Sequence, residues 1–146
     1  MPDSIANELV RRIAALERRA QRLEEIEQGP GLVFLRTQLT STSWDGDAKT
    51  SANNGVLDLS ALFGVPAGIK AVLCAVTAYS TAGAISIVLK PDGDASNAPP
   101  INVHTVASAY QGRGGWVPCD ANGDIYFESG SATAANVWLE IWGYAR

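Results

Sequence analysis

The chain changes its hydrophobic period once, at Gly29-Pro30, and the two sides of that break require different structures. Residues 3–28 contain Arg11, Arg12, Arg18, Arg19 and Arg22 but no Gly, Pro, Phe, Trp or Tyr. Their apolar residues recur four and three apart, at Ala6, Leu9, Ile13, Leu16, Ala20 and Leu23, the seam spacing of a coiled-coil helix. Asp3 and Ser4 can cap its start, and Gly29 followed by Pro30 stops it.

The seam sets a register. With Ala6, Ile13 and Ala20 at a and Leu9, Leu16 and Leu23 at d, Arg12 and Arg19 fall at g and Glu17 and Glu24 at e. In a parallel bundle Arg12 then meets Glu17 of a neighbouring copy and Arg19 meets Glu24. Ile5, Val10 and Ile26 at g and e widen the apolar stripe, which favours more than two strands and predicts a parallel homotrimer. The same stripe would also serve a helix lying on its own β domain. A helix of about 35 Å is marginal in isolation, so a trimer requires a head that also associates.

Beyond the break, short apolar or alternating runs are separated by Gly, Pro, Asn and Asp, the pattern of an antiparallel sandwich or barrel. The runs are 32–40, 56–59, 69–80, 84–90, 101–107, 115–118, 124–128 and 136–145. That number of strands predicts an all-β antiparallel sandwich with a jelly roll as the leading topology. The expected organisation is a coiled-coil helix at 3–28, a linker at 29–31 and a β-sandwich head at 32–146.

Composition removes several functions. Lys and Arg number 11 against 15 Asp and Glu, for a formal net charge of -4, which gives no electrostatic footprint for nucleic acid. No apolar run reaches the length needed to span a bilayer, and Arg11 and Arg12 interrupt any secretory h-region. Membrane insertion and a cleaved signal are therefore not expected. One histidine, His104, and two cysteines, Cys74 and Cys119, cannot supply the usual four zinc ligands. No G-x-S-x-G nucleophile motif is present, and the acidic residues of the head lie mostly in turn-like contexts without the pairing that glycan hydrolysis needs. No enzyme activity, catalytic residue, cofactor or metal is expected. Asp120-Ala-Asn-Gly-Asp124 and Asp92-Gly-Asp94 read as turns before calcium loops, and the two cysteines as free thiols.

Aromatic residues carry the remaining expectations. The last run puts Val137, Leu139 and Ile141 on one face and Trp138, Trp142 and Tyr144 on the other, interrupted by Glu140. Aromatics turned away from the core read first as a subunit interface, then as a second core layer or a carbohydrate-stacking platform. In 69–80, neither the Val72, Cys74, Val76, Ala78 face nor the Leu73, Ala75, Thr77, Tyr79 face is polar, as in a central strand that also touches another subunit. Three loops, 41–55, 91–100 and 108–115, are long enough to bind, and Trp44, Tyr110, Arg113 and Trp116 are the side chains suited to gripping a ligand.

Two stretches carry a resemblance. Leu57-Asp-Leu-Ser60 with Val65-Pro-Ala-Gly-Ile-Lys-Ala-Val-Leu73, and Asp124-Ile-Tyr-Phe127 with Asn136-Val-Trp-Leu-Glu-Ile-Trp-Gly-Tyr144, resemble the β-sandwich domains of bacteriophage tail-fibre and other virion-appendage proteins. The resemblance implies a virion structural protein, a trimeric tail fibre or receptor-binding appendage. Its partners would be its own copies, other virion proteins through the N-terminal helix, and a host-surface glycan or protein. A capsid decoration or head-fibre protein shares these features, and a free lectin-like binding module is the other alternative.

Overall fold

The computed structural model describes residues 12–13, 25–27, 31–41, 43–44, 46–94 and 99–146. Nine strands lie among them: β1 Glu25–Glu27, β2 Leu32–Leu39, β3 Gly55–Leu57, β4 Ala71–Ser80, β5 Ser86–Lys90, β6 Ile101–His104, β7 Ala109–Pro118, β8 Ile125–Ser129 and β9 Asn136–Ala145. A short helix, α1 Leu59–Phe63, separates β3 from β4.

The strands form two sheets, ordered β1-β2-β9-β4-β7 and β3-β8-β5-β6. Four antiparallel pairs, β2 with β9, β3 with β8, β4 with β7 and β5 with β6, nest one inside the next. This is one long hairpin, turning between β5 and β6. The pairings β9 with β4 and β8 with β5 roll it up. Eight strands wound in this way make a jelly roll, so the sandwich expected from the punctuation is present with its leading topology.

Strand alternation fills the space between the sheets. Val72, Cys74, Val76 and Ala78 of β4 and Val137, Leu139 and Ile141 of β9 face Ile87, Leu89, Ile101, Ile125 and Phe127 of the other sheet, all buried. α1 adds Leu59 and Phe63 to the same core. Its ends are written in the sequence. The Asp58 side chain accepts from the Ala61 N–H at 2.8 Å as N-cap, and Gly64 closes the helix at φ 73°, in the left-handed region. The expected strand at 56–59 is thereby corrected: it ends at Leu57, because the Asp58 cap and the Gly64 stop favour one turn of helix.

Two further expectations are revised. Glu25–Glu27, placed in the helix 3–28, forms a strand that pairs with Val33–Leu35 at the edge of the first sheet. Edge pairing satisfies backbone groups there, and β-branched Ile26 between two glutamates suits an alternating strand. The segment 108–115, expected as a loop, is mostly β7, bonded along its length to β4. Its glycines hid the strand because they carry no apolar pattern. Arg12 and Ile13 are helical and exposed. Leu9, Leu16, Ala20 and Leu23 of the seam, with Glu17, Arg19 and Glu24, lie outside the described residues, as does the linker apart from Gly31.

Candidate binding face and groove

The outer face of the five-stranded sheet is where the aromatic residues collect. Because β4 alternates, Leu73, Ala75, Thr77 and Tyr79 point outward, opposite Trp116, Gly114, Gly112 and Tyr110 of β7. At one end Tyr110 lies over Tyr79, ring centroids 4.9 Å apart, and reaches Trp138 of β9 at 5.7 Å. At the other end Phe34 of β2 meets Trp116 edge-on at 6.0 Å. They bridge Gly143 and Leu73, which lie between them in the sheet. Trp142 belongs to this second end, and its indole N–H donates to Glu140 Oε2 at 3.3 Å. Between the two ends lie the small residues Gly112, Gly114, Ala75 and Thr77, with Glu140 opposite Ala75. Tyr110, Trp116, Trp138 and Trp142 are 66, 37, 44 and 37% exposed, far more apolar area than a strand face turned to water needs.

Tyr144 does not join them. The β9–β4 pairing runs from Leu73 opposite Gly143 to Cys74 opposite Ile141, so Trp142 is an extra residue, a bulge. One inserted residue reverses the alternation beyond it, and Tyr144 turns into the core at 3% exposure. Its place on the aromatic face is therefore corrected. Arg113 is corrected as well: it sits opposite Val76, on the face away from Tyr110 and Trp116, at the sheet edge. The expected set of Trp44, Tyr110, Arg113 and Trp116 does not converge on one site.

A groove does form next to the Tyr110–Trp138 end. The last β2–β9 pair is Leu39 with Ile141, and contact with β9 resumes where the Val137 N–H donates to the Gly46 carbonyl at 2.8 Å. Leu39 to Gly46 is seven residue steps (46 minus 39), while Ile141 to Val137 is four (141 minus 137). The longer chain on this side leaves a groove of about 370 Å³ beside β9, lined by Ser41, Trp44, Asp47, Trp138 and Glu140 among others. Two bonds hold described residues of this wall. Ser41 Oγ accepts from the Trp44 N–H at 2.8 Å, and Asn136 Oδ1 accepts from the Ala48 N–H at 3.0 Å. Gly46 is clamped so tightly that a Cβ there would stand 1.8 Å from the Val137 carbonyl oxygen. Trp44 lines the groove and also plugs the core, edge-on to Phe127 at 5.8 Å with Lys49 Nζ 5.3 Å from its ring centroid. The polar lining, Asp47 and Glu140, was missed as a ligand set, although the interruption of the β9 aromatic face by Glu140 was its visible trace.

The acidic turns have structural work. Asp120 Oδ1 accepts from the Asn122 and Asp124 N–H groups, and Asp92 Oδ1 from that of Asp94. Asp124 Oδ1 accepts from Leu59 N–H at the start of α1. Burial raises the Asp124 carboxyl above the usual range against the pull of that bond, while the Ala61 N–H and the Ser60 hydroxyl lower that of Asp58. Among the described residues no three His, Cys, Asp or Glu side chains gather as a metal site, and no helix is long and apolar enough to cross a membrane. Cys74 and Cys119 are free, and burial pushes both thiols up to about 12.

No family model matches the chain, nor does any curated protein. Among solved structures the coat protein of Tobacco streak virus is similar, with a TM-score of 0.46 and 9% identity, over 83% of this chain and 90% of that one. At that distance the likeness has no bearing on what this chain does.

Proposed function

We propose that this chain is a virion structural protein: the jelly-roll head of a trimeric tail-fibre or receptor-binding appendage, with no catalytic activity. The observation that carries the reading is the exposed aromatic face on the sheet that β1 and β2 join at its edge. A heptad seam too short to hold alone feeds that sheet, so seam and face would associate together. The Phe34, Trp116 and Trp142 end is assigned to contact between copies. The Tyr110 and Trp138 end, with its groove, is assigned to the host surface, and the N-terminal helix to other virion proteins. Several weak sites on one symmetric head multiply the effective affinity for a surface, which is what attachment requires.

Light scattering coupled to size exclusion tests this on the full chain and on one beginning at Gly31. The expected mass for the full chain is three times its 15.4 kDa. A full chain that stays monomeric at micromolar concentration overturns the appendage reading.

A further inference from the structure

We infer that the groove that Ser41, Trp44 and Asp47 form with β9 is a binding site for a non-acidic pyranose unit of a surface glycan, with the Trp138 indole as its stacking surface. The inference rests on reading the head as a binding module, and it does not depend on how many copies assemble.

The chemistry follows from what lines the groove. A pyranose has a weakly polar C–H face and a rim of hydroxyls. The first packs on an indole and the second needs hydrogen-bond acceptors. Trp138 supplies an exposed aromatic surface on the groove wall, backed by Tyr110 at 5.7 Å. Asp47 and Glu140 bring carboxylates to the same groove, and Ser41 a hydroxyl. Carboxylates accept from sugar hydroxyls, or from the ammonium of an amino sugar, through charge-assisted bonds. They repel a sialic or uronic acid carboxylate, and the net charge of -4 adds to that repulsion. An extended apolar peptide is a poor fit, because two of the lining side chains are acids whose desolvation nothing apolar would offset.

The site is also held in shape before any ligand arrives. The Ser41 Oγ bond to the Trp44 N–H, the Gly46 clamp on Val137 and the Asn136 bond to Ala48 hold these lining residues against β9. Preorganisation of this kind cuts the ordering cost that otherwise removes affinity for small polar ligands.

Saturation-transfer NMR on the full chain, with methyl glycosides of glucose, galactose, mannose, N-acetylglucosamine and glucosamine and with glucuronic and N-acetylneuraminic acid as the acidic arm, tests the site. Saturation transfer to at least one non-acidic glycoside is expected, with much weaker transfer to the acids. Trp138→Ala should weaken binding at least about tenfold, Glu140→Gln should weaken it less, and Trp116→Ala, packed on Phe34 at the other end of the face, should leave it unchanged. Circular dichroism of each variant establishes that it folds, since Trp138 is exposed. No transfer to any non-acidic glycoside, acids bound as well as neutral sugars, or full binding by Trp138→Ala overturns the inference. Mass measured on the same samples separates the two readings. A monomer that binds sugar overturns the appendage and leaves the groove, whereas a trimer that binds none overturns the groove alone.

Discussion

Cys74 and Cys119 show how far a single residue's chemistry is set by position. Both read as free thiols in the sequence, but their reactivity follows from position: burial in the core for Cys74, and partial burial beside Asp120 and Asp124 for Cys119, hold them protonated up to about 12 against an ordinary 9.0. At pH 8 Cys74 should stay unreactive toward a disulfide reagent until the protein is unfolded, and Cys119, half-buried, should react slowly. Fast labelling of Cys74 in the native protein would contradict this. The linkage sign also follows. An acid whose folded pKa is raised contributes stability that is intact below pH 9 and is lost as pH rises from 9 towards 12. Replacing Cys74 by Ala should flatten the alkaline fall of the denaturation midpoint in that window. Gly46 belongs to the same scale, because contact with the Val137 carbonyl, not a special backbone angle, excludes a side chain there.

Within single elements, pattern and pairing disagree where a strand is irregular. The alternation of β9 was legible as far as Trp142, and the bulge that follows was not, since it depends on β4 lying alongside. β5 and β8 hold a different irregularity. Lys90 is buried, its Nζ 2.7 Å from Glu128 Oε2 and 5.5 Å from the centre of the Tyr126 ring. Glu128 keeps 37% of its side chain in water, so the pair lies between the surface and buried limits. Glu128→Ala leaves a buried ammonium without its carboxylate and should cost about 2 kcal/mol, below the roughly 3–5 kcal/mol of a fully buried pair. Lys90→Met, which removes the charge and keeps the volume, should cost less than 1 kcal/mol or stabilise. Urea midpoints at unchanged m decide between these outcomes. An equal loss for both variants would mean that packing of the lysine stem dominates.

For the whole molecule, the nested pairing makes β9 indispensable. It closes the outermost pair with β2, joining Leu32 to Ala145, and also lies against β4 along nearly its full length. Contacts so far apart in sequence close late and slowly. A chain ending at residue 135 should therefore fail to give a cooperative unfolding transition. One beginning at Gly31 should keep the near-ultraviolet signal of the packed aromatics, because β1 adds only an edge strand. A folded head without β9 would refute this account of the jelly roll.

What the sequence determined by itself was whatever is local and periodic. Punctuation by Gly, Pro, Asn and Asp placed the β head and most of its strands. Alternation set Trp138 and Trp142 on the face opposite Val137, Leu139 and Ile141, but left both faces of 69–80 apolar, so that only the second sheet turned Val72, Cys74 and Val76 inward. Even the α1 caps at Asp58 and Gly64 were readable, though overlooked. Only the tertiary structure decided what depends on two segments meeting. It turned Tyr144 inward past a bulge, joined the glycine-rich 109–118 to β4 as a strand, separated Arg113 from Tyr110, and brought Asp47 and Glu140 to one groove. The physical reason is the same each time: a side chain's face is fixed by the hydrogen-bonded neighbour its strand acquires, and that neighbour lies tens of residues away.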